Sequence, residues 1–110
     1  MSAGAPFEVS PLALGTWRTF ERIGRRRSVE IVRAAAAGGI NFFDDARYDD
    51  ETGTAPLSTG YSEVLFGEVF RAAGLARADT VVSNKLWWEH WPREDAAAEL
   101  DGSMARMRFD

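Results

Sequence analysis

Two charged side chains and one tyrosine have the residue types and the spacing that could support acid–base chemistry. Asp44 directly follows the apolar run at residues 40–43, and Lys85 directly follows a β-forming run at residues 80–84. Tyr48 lies four residues past Asp44. A tyrosine hydroxyl is a poor proton donor at neutral pH, but a nearby ammonium favours the phenolate form, and a carboxylate keeps that ammonium charged and directed. The three residues together therefore predict a general acid.

A simpler interpretation of the same residues stays open. Asp44 and Lys85 could form a purely structural ion pair, and Tyr48 could be an exposed loop aromatic. The two interpretations differ in where the three side chains lie relative to one another, which depends on the elements that carry them.

Three repeats of one pattern position these side chains: a short apolar run, a loop and then an amphipathic helix. The apolar runs cover residues 9–14, 40–43 and 80–84. Strands that alternate with helices indicate a parallel sheet with right-handed crossovers. The carboxyl ends of such strands share one edge, and neighbouring strands lie about 4.8 Å apart. Asp44 and Lys85 are therefore expected to meet.

Capping residues predict where each helix begins and ends. Ser28 and Ser62 have the side chain of an N-cap, and Pro92 suits a first helical turn. Glycines at 38–39 and 74 are expected to end the first two helices, because glycine adopts the left-handed conformation without steric cost. The third helix is expected to carry one apolar stripe, made of Ala96, Leu100, Met104 and Met107.

The fold class follows from this alternation. Three βα units alone leave two bare sheet edges and one uncovered face, whereas a parallel sheet needs both faces covered. The pattern therefore predicts an α/β protein that is part of either a (β/α)8 TIM barrel or an open doubly wound sheet. No strand is followed by the dinucleotide motif G-x-G-x-x-G, which disfavours the doubly wound sheet. In a barrel, polar residues at the strand carboxyl ends converge on the active face.

Composition narrows the classes of function. The chain has 110 residues, 45% of them hydrophobic, and a formal net charge of −4, which argues against disorder and against sequence-independent nucleic-acid binding. It contains no cysteine, so a disulfide framework and a thiolate metal site are excluded. No run approaches the roughly 20 apolar residues needed to span a membrane, and residues 1–6 lack a secretory pattern. We expect a cytoplasmic protein with neither a membrane nor a nucleic acid as partner.

Four segments resemble the motifs of the aldo-keto reductase family. They are L-G-T-W at 14–17, G-I-N-F-F-D-D-A at 39–46, S-E-V-L-F-G at 62–67 and V-V-S-N-K at 81–85. The resemblance extends from about Val9 to Asp110. It implies a (β/α)8 barrel and an NADP-dependent oxidoreductase. Such an enzyme uses NADPH to reduce the carbonyl of a small-molecule aldehyde or ketone to an alcohol by hydride transfer.

The resemblance also implies roles for individual residues. Asp44 and Lys85 match the family's catalytic aspartate and lysine, with a tyrosine as the proton donor. Asp44 would also lie near the ribose of the nicotinamide nucleotide. Gly15, Thr16 and Trp17 would line the floor near the nicotinamide or the substrate. No metal is implied.

The sequence departs from the family pattern at three places near the site. Asp45 stands where the family usually has threonine. The family's tyrosine comes five residues after the aspartate, but Tyr48 arrives one residue earlier, and Asp49 occupies the family position. The loop before Ser62 is also longer than usual and ends at Tyr61. Tyr48 is our first candidate for the proton donor, and Tyr61 is its rival.

Other family elements lie beyond this sequence. The resemblance places a catalytic histidine at the end of the fourth strand, and barrels generally bind phosphate after strands 7 and 8. The only histidine here, His90, follows the third strand and is not assigned that role. We expect residues 1–110 to be the N-terminal part of a barrel, truncated before the fourth strand and inactive in isolation.

Two alternatives remain. The chain could be a non-catalytic module that self-associates through exposed sheet edges and apolar faces. It could also belong to another barrel enzyme in which Asp44 and Asp45 do acid–base or metal chemistry.

Overall fold

Three short parallel strands form one sheet, with the strands arranged in chain order. The computed structural model describes residues 8–49, 53–57 and 59–109, so residues 1–7 and Asp110, at the ends of the predicted unit, lie outside the described residues. The strands are β1 (Leu14–Gly15), β2 (Phe42–Asp44) and β3 (Val81–Ser83). The register pairs Asp44 with Gly15 on one side and with Ser83 on the other. The carboxyl ends of all three strands therefore meet at one edge, as the sequence predicts.

β1 is much shorter than the apolar run that predicts it. Only the end of the 9–14 run pairs as a strand, because upstream of it side chains replace the backbone ladder. The Ser10 N–H donates to the Asn41 Oδ1 at 2.8 Å, and the Asn41 N–H donates to the Ser10 Oγ at 3.1 Å. Pro11 has no N–H to donate.

Four α-helices follow or connect the strands. They are α1 (Phe20–Ile23), α2 (Arg25–Ala37), α3 (Tyr61–Ala72) and α4 (Ala96–Met107). The glycine ends are confirmed: Gly39 has φ +96° just after α2, and Gly74 has φ +79° just after α3. None of the helices within the described ranges has the length and apolar character needed to cross a membrane.

The predicted helix starts are wrong in all three cases. α2 begins three residues before Ser28, whose hydroxyl instead donates to the Gly24 carbonyl one turn back, at 2.7 Å. α3 begins at Tyr61, and Ser62 donates to the Asp45 carboxylate instead of capping the helix. α4 begins after Pro92, at the Asp95 cap, whose carboxylate accepts from the Ala98 N–H at 2.9 Å. Ser62 thus bonds a tertiary partner and α4 has its side-chain cap at Asp95, whereas Ser28 bonds back to Gly24, the residue before α2.

The core is built around α3. Phe66 is fully buried and contacts three other aromatic rings of the interior, Phe20, Phe43 and Phe70, at centroid distances of 6.4, 6.2 and 5.9 Å. Val32, Leu65, Val69 and Met107 complete the buried cluster. This cluster packs against one face of β2 and fixes the position of the strand that ends in Asp44.

The buried face of α4 is largely polar, and within the predicted apolar stripe Met107 is the residue that is buried. Glu99, Ser103 and Met107 are buried, whereas Leu100 is 55% exposed. The reason is hydrogen bonding. Glu99 accepts from the Trp87 N–H at 2.8 Å, and Arg106 on the same helix reaches the buried Glu63 of α3 at 2.6 Å.

Candidate functional site

Asp44 and Lys85 meet at the carboxyl edge of the sheet. The Lys85 Nζ donates to the Asp44 Oδ2 at 2.7 Å and to the Asp45 carbonyl oxygen at 3.1 Å. The Ser83 hydroxyl holds the other Asp44 oxygen at 2.5 Å. Burial lowers the pKa of Lys85, but its interactions with Asp44 and Tyr48 outweigh burial and leave that pKa above its ordinary value. The lysine is therefore a fixed, charged ammonium.

Tyr48 lies over this ammonium. The Lys85 Nζ is 5.5 Å from the centroid of the Tyr48 ring. Two indoles flank the ring, Trp17 at 6.3 Å and Trp87 at 6.1 Å between centroids. The half-buried tyrosine is therefore held beside the Asp44–Lys85 pair, which is the arrangement that a lysine-assisted proton donor needs.

Tyr61 has different neighbours. It is the first residue of α3, and its hydroxyl accepts from the Arg25 guanidinium at 3.4 Å. It shares a small cavity of about 20 Å³ with Trp17 and Tyr48. Tyr61 thus lies near the site. Among the described contacts, however, Lys85 contacts Tyr48 and Tyr61 contacts Arg25.

The residues after β1 contribute in different ways. The Thr16 N–H donates to the Asp44 carbonyl at 3.1 Å, and its buried hydroxyl is used by Asp45. Gly15 and Trp17 are exposed, and Trp17 stacks under the Arg18 guanidinium at 4.5 Å. Gly15 and Trp17 therefore present surface at the strand edge, whereas the Thr16 side chain points into the protein.

Asp45, which the sequence analysis offers as a site residue only in the alternative of another barrel enzyme, lies within the site. It has no exposed surface, and its Oδ1 accepts from the Thr16 hydroxyl at 2.5 Å and from the Ser62 hydroxyl at 2.7 Å. Burial raises the pKa of Asp45 to about 6, although these two hydroxyl bonds act in the opposite direction. The sequence signal for this residue was the aspartate itself, because the family motif that residues 39–46 resemble usually has threonine at position 45.

His90 lies apart from this group. Its Nδ1 is 3.8 Å from the Glu94 carboxylate, which also accepts from Arg47 at 2.7 Å. This side-chain hydrogen bond, together with the charge of Arg47, holds the pKa of Glu94 below its ordinary value. Within the part of the chain that the structure describes, no group of three or more His, Cys, Asp and Glu residues is placed to hold a metal ion.

Comparison with known proteins adds to this geometry. The model of the "Aldo/keto reductase family" matches residues 11–110. A "Probable voltage-gated potassium channel subunit beta" from Oryza sativa subsp. japonica is 30% identical over 93% of this chain and 31% of its own length. The protein of the same description from Arabidopsis thaliana is 30% identical over 74% of the chain and 23% of its own length. The chain thus spans less than a third of these relatives.

Solved structures show the same fold. A "putative 2,5-diketo-D-gluconic acid reductase B" superposes with a TM-score of 0.63 at 24% identity, over 93% of this chain and 31% of the other. An aldo/keto reductase from Brucella melitensis gives a TM-score of 0.55 at 21% identity, over 89% and 32%. The expected fold class is confirmed: the parallel sheet and its helices are the first three βα units of a (β/α)8 barrel. With the family model matched over residues 11–110, the chain belongs to the aldo/keto reductase family.

Proposed function

We propose that residues 1–110 are the N-terminal part of an NADPH-dependent oxidoreductase that reduces an aldehyde or ketone to an alcohol. One observation carries the proposal: the Lys85 ammonium, bound by Asp44 at 2.7 Å, lies 5.5 Å from the centre of the Tyr48 ring. A structural ion pair alone requires no aromatic hydroxyl beside it. We further propose that the protein acts in the cytoplasm on small carbonyl compounds.

The three side chains divide the acid chemistry between them. Tyr48 holds the proton that the carbonyl oxygen takes up as it becomes an alkoxide. The Lys85 ammonium stabilises the phenolate that remains. Asp44 keeps Lys85 aimed at the tyrosine, and Ser83 keeps Asp44 in place. Trp17 and Trp87 restrict the tilt of the tyrosine ring and shield it from bulk water.

The strand edge fits a nicotinamide nucleotide. When bound, a reduced nicotinamide would supply the hydride for the carbonyl carbon. Asp44 is partly exposed and can accept from a ribose hydroxyl. Apart from Gly15 and its two chain neighbours, no described residue has an atom within 4 Å of the place where a Cβ on Gly15 would stand, so the strand end is open to a flat ring. Trp17 offers an exposed apolar face beside it.

Substitution of the two tyrosines tests the proposal. In the protein made from the complete reading frame, Tyr48→Phe should lower kcat about 10²-fold or more, because a positioned general acid contributes about 10²–10⁴-fold. Tyr61→Phe is the matched control and should retain turnover. NADPH oxidation measures kcat, and fluorescence titration should show that Tyr48→Phe still binds NADPH. Full turnover by Tyr48→Phe, or its loss in Tyr61→Phe alone, would reject the assignment of Tyr48.

Lys85→Met probes the ion pair directly. Turnover should fall while NADPH binding persists, because the substitution removes the charge next to Tyr48 and leaves the strand edge intact. The unmodified 110-residue chain should show no NADPH oxidation by itself, because a catalytic histidine and a phosphate site would have to come from other strands. Turnover by the isolated chain as a monomer would contradict this expectation.

A second candidate function is self-association without catalysis. β3 pairs with β2 alone among the described strands, and beside it lies an apolar groove of about 430 Å³ that includes Val82, Leu86 and Leu100. A second copy of the chain could cover this groove. Sedimentation would then show a dimer that Leu100→Glu converts to monomers, and a monomeric unmodified chain would exclude this function.

A further inference from the structure

Asp45 connects all three βα units at the carboxyl edge of the sheet. Its N–H donates to the Ser83 carbonyl of β3 at 3.0 Å. Its carboxylate accepts from Thr16, after β1, and from Ser62, on the first turn of α3. Its own carbonyl oxygen accepts from the Lys85 ammonium at 3.1 Å. Asp45 therefore contacts the end of β3, the segment after β1, the start of α3 and the residue that carries the ammonium.

The carboxyl group of Asp45 is enclosed and only half satisfied. The side chain is fully buried, and its Oδ2 has no hydrogen-bond partner among the described residues. A buried carboxylate oxygen without a donor is costly, so this is a position where a proton can be accommodated. Neither the ion pair nor the tyrosine uses that oxygen, which leaves the group free for another role.

Charged groups approach Asp45 from several elements. Asp44 is its neighbour on β2, and Lys85 lies in the loop after β3. Glu63 on α3 adds a like charge, although Arg106 of α4 neutralises Glu63 at 2.6 Å. From the β1 side the contact is the neutral Thr16 hydroxyl. Lys85 is thus a cation bonded to the backbone carbonyl of Asp45, and it is also the cation next to Tyr48.

We propose that Asp45 is a positioning residue whose protonation changes the placement and electrostatic environment of Lys85 and Tyr48, so that the acid group responds to pH. This regulatory role rests on the proposed reductase function. When Asp45 is ionised, its Oδ1 accepts two hydroxyl hydrogen bonds. A proton on the carboxyl group removes the negative charge of the residue whose carbonyl oxygen binds the Lys85 ammonium, and it places a donor where the structure has a bare oxygen.

The pH range of this response follows from burial. The pKa of Asp45 is raised to about 6, so its charge changes between about pH 5 and pH 7. His90 is a second ionisable group near the site, since it lies 3.8 Å from the Glu94 carboxylate that also binds Arg47, the chain neighbour of Tyr48. Any test must therefore separate Asp45 from His90.

Nuclear magnetic resonance of the isotopically labelled chain provides the test. The signals to follow between pH 4.5 and pH 8 are the Asp45 carboxyl carbon, the Lys85 Cε and the Tyr48 Cζ. We expect all three to show one common inflection near pH 6. The Lys85 and Tyr48 inflections should disappear in Asp45→Asn and persist in His90→Gln.

Several outcomes would overturn the proposal. These are an Asp45 titration without a matching inflection at Lys85 and Tyr48, an inflection that survives Asp45→Asn, or one that vanishes in His90→Gln. If Asp45→Asn fails to fold, the unmodified chain and His90→Gln still decide the question. The measurement needs neither cofactor nor turnover. Failure of the reductase proposal would appear separately, as active Tyr48→Phe enzyme or as absent NADPH binding.

Discussion

Replacement of Asp45 by asparagine should change how stability depends on pH. The folded protein raises the pKa of this carboxyl from an ordinary value of 3.8 to about 6, mainly through burial and against the hydrogen bonds from Thr16 and Ser62. The folded state therefore binds this proton more tightly than the unfolded state. The resulting stabilisation is complete below about pH 4 and is lost as pH rises through about 6.

The size of the effect follows from the two pKa values. At about 1.4 kcal/mol for each unit of pKa, ionised Asp45 costs the folded state about 3 kcal/mol at high pH. Because the proton binds gradually, the unmodified chain should gain only about 1 kcal/mol from this residue between pH 7 and pH 5. Asparagine does not titrate, so the free energy of unfolding of the unmodified chain should rise by that amount relative to Asp45→Asn.

Urea unfolding followed by tryptophan fluorescence at pH 5, 6 and 7, at fixed ionic strength, measures this difference. Subtraction of the two proteins cancels the titration of the remaining carboxylates. Asp101→Asn, at an exposed position of α4, is the matched control and should track the unmodified chain throughout. A difference between the unmodified chain and Asp45→Asn that stays constant, or that moves in favour of asparagine toward pH 5, would refute the reasoning about Asp45.

Two further predictions concern the contact between α3 and α4, and both are measured by thermal unfolding with circular dichroism. Gly67→Ala should destabilise the protein by about 1–3 kcal/mol or more through overpacking, because a Cβ there would overlap the Met107 backbone. Gly102→Ala is its control: the new Cβ would meet only the flexible Arg106 side chain at 3.2 Å, so the free energy of unfolding should change little or rise by up to about 1 kcal/mol. Arg106→Met should cost about 3–5 kcal/mol, because it leaves the buried Glu63 carboxylate without its cation. A loss below about 1 kcal/mol would refute the stabilising role of this ion pair.

The sheet and the convergence of its polar ends were predictable from the sequence. Asp44 and Lys85 each directly follow an apolar run, so strand direction alone brings their side chains to one edge of the sheet. The position of Tyr48 was also predictable from the sequence, because a residue four positions past a strand end can fold back over that end. These predictions needed only periodicity, strand spacing and chain direction.

The start of α3 was not predictable, because the partner of its candidate cap is distant in sequence. Ser62 looks like a cap when α3 is considered alone, but its hydroxyl lies within reach of Asp45, 17 residues earlier in the chain. On α4, hydropathy favours an inward Leu100, whereas Glu99 faces inward because it accepts the Trp87 N–H. A local pattern cannot anticipate a hydrogen bond that exists only after the chain has folded.

Position 45 shows the same limit most clearly. The motif reveals an aspartate where threonine is usual, but the substitution alone does not say whether the carboxylate faces solvent or the interior. The answer depends on Thr16, 29 residues earlier in the chain, and on Ser62, because both donate to the same oxygen. Two hydroxyl donors make the buried carboxylate tolerable without neutralising it. The residue thus keeps a charge that can still be removed by a proton, which a threonine at this position would lack.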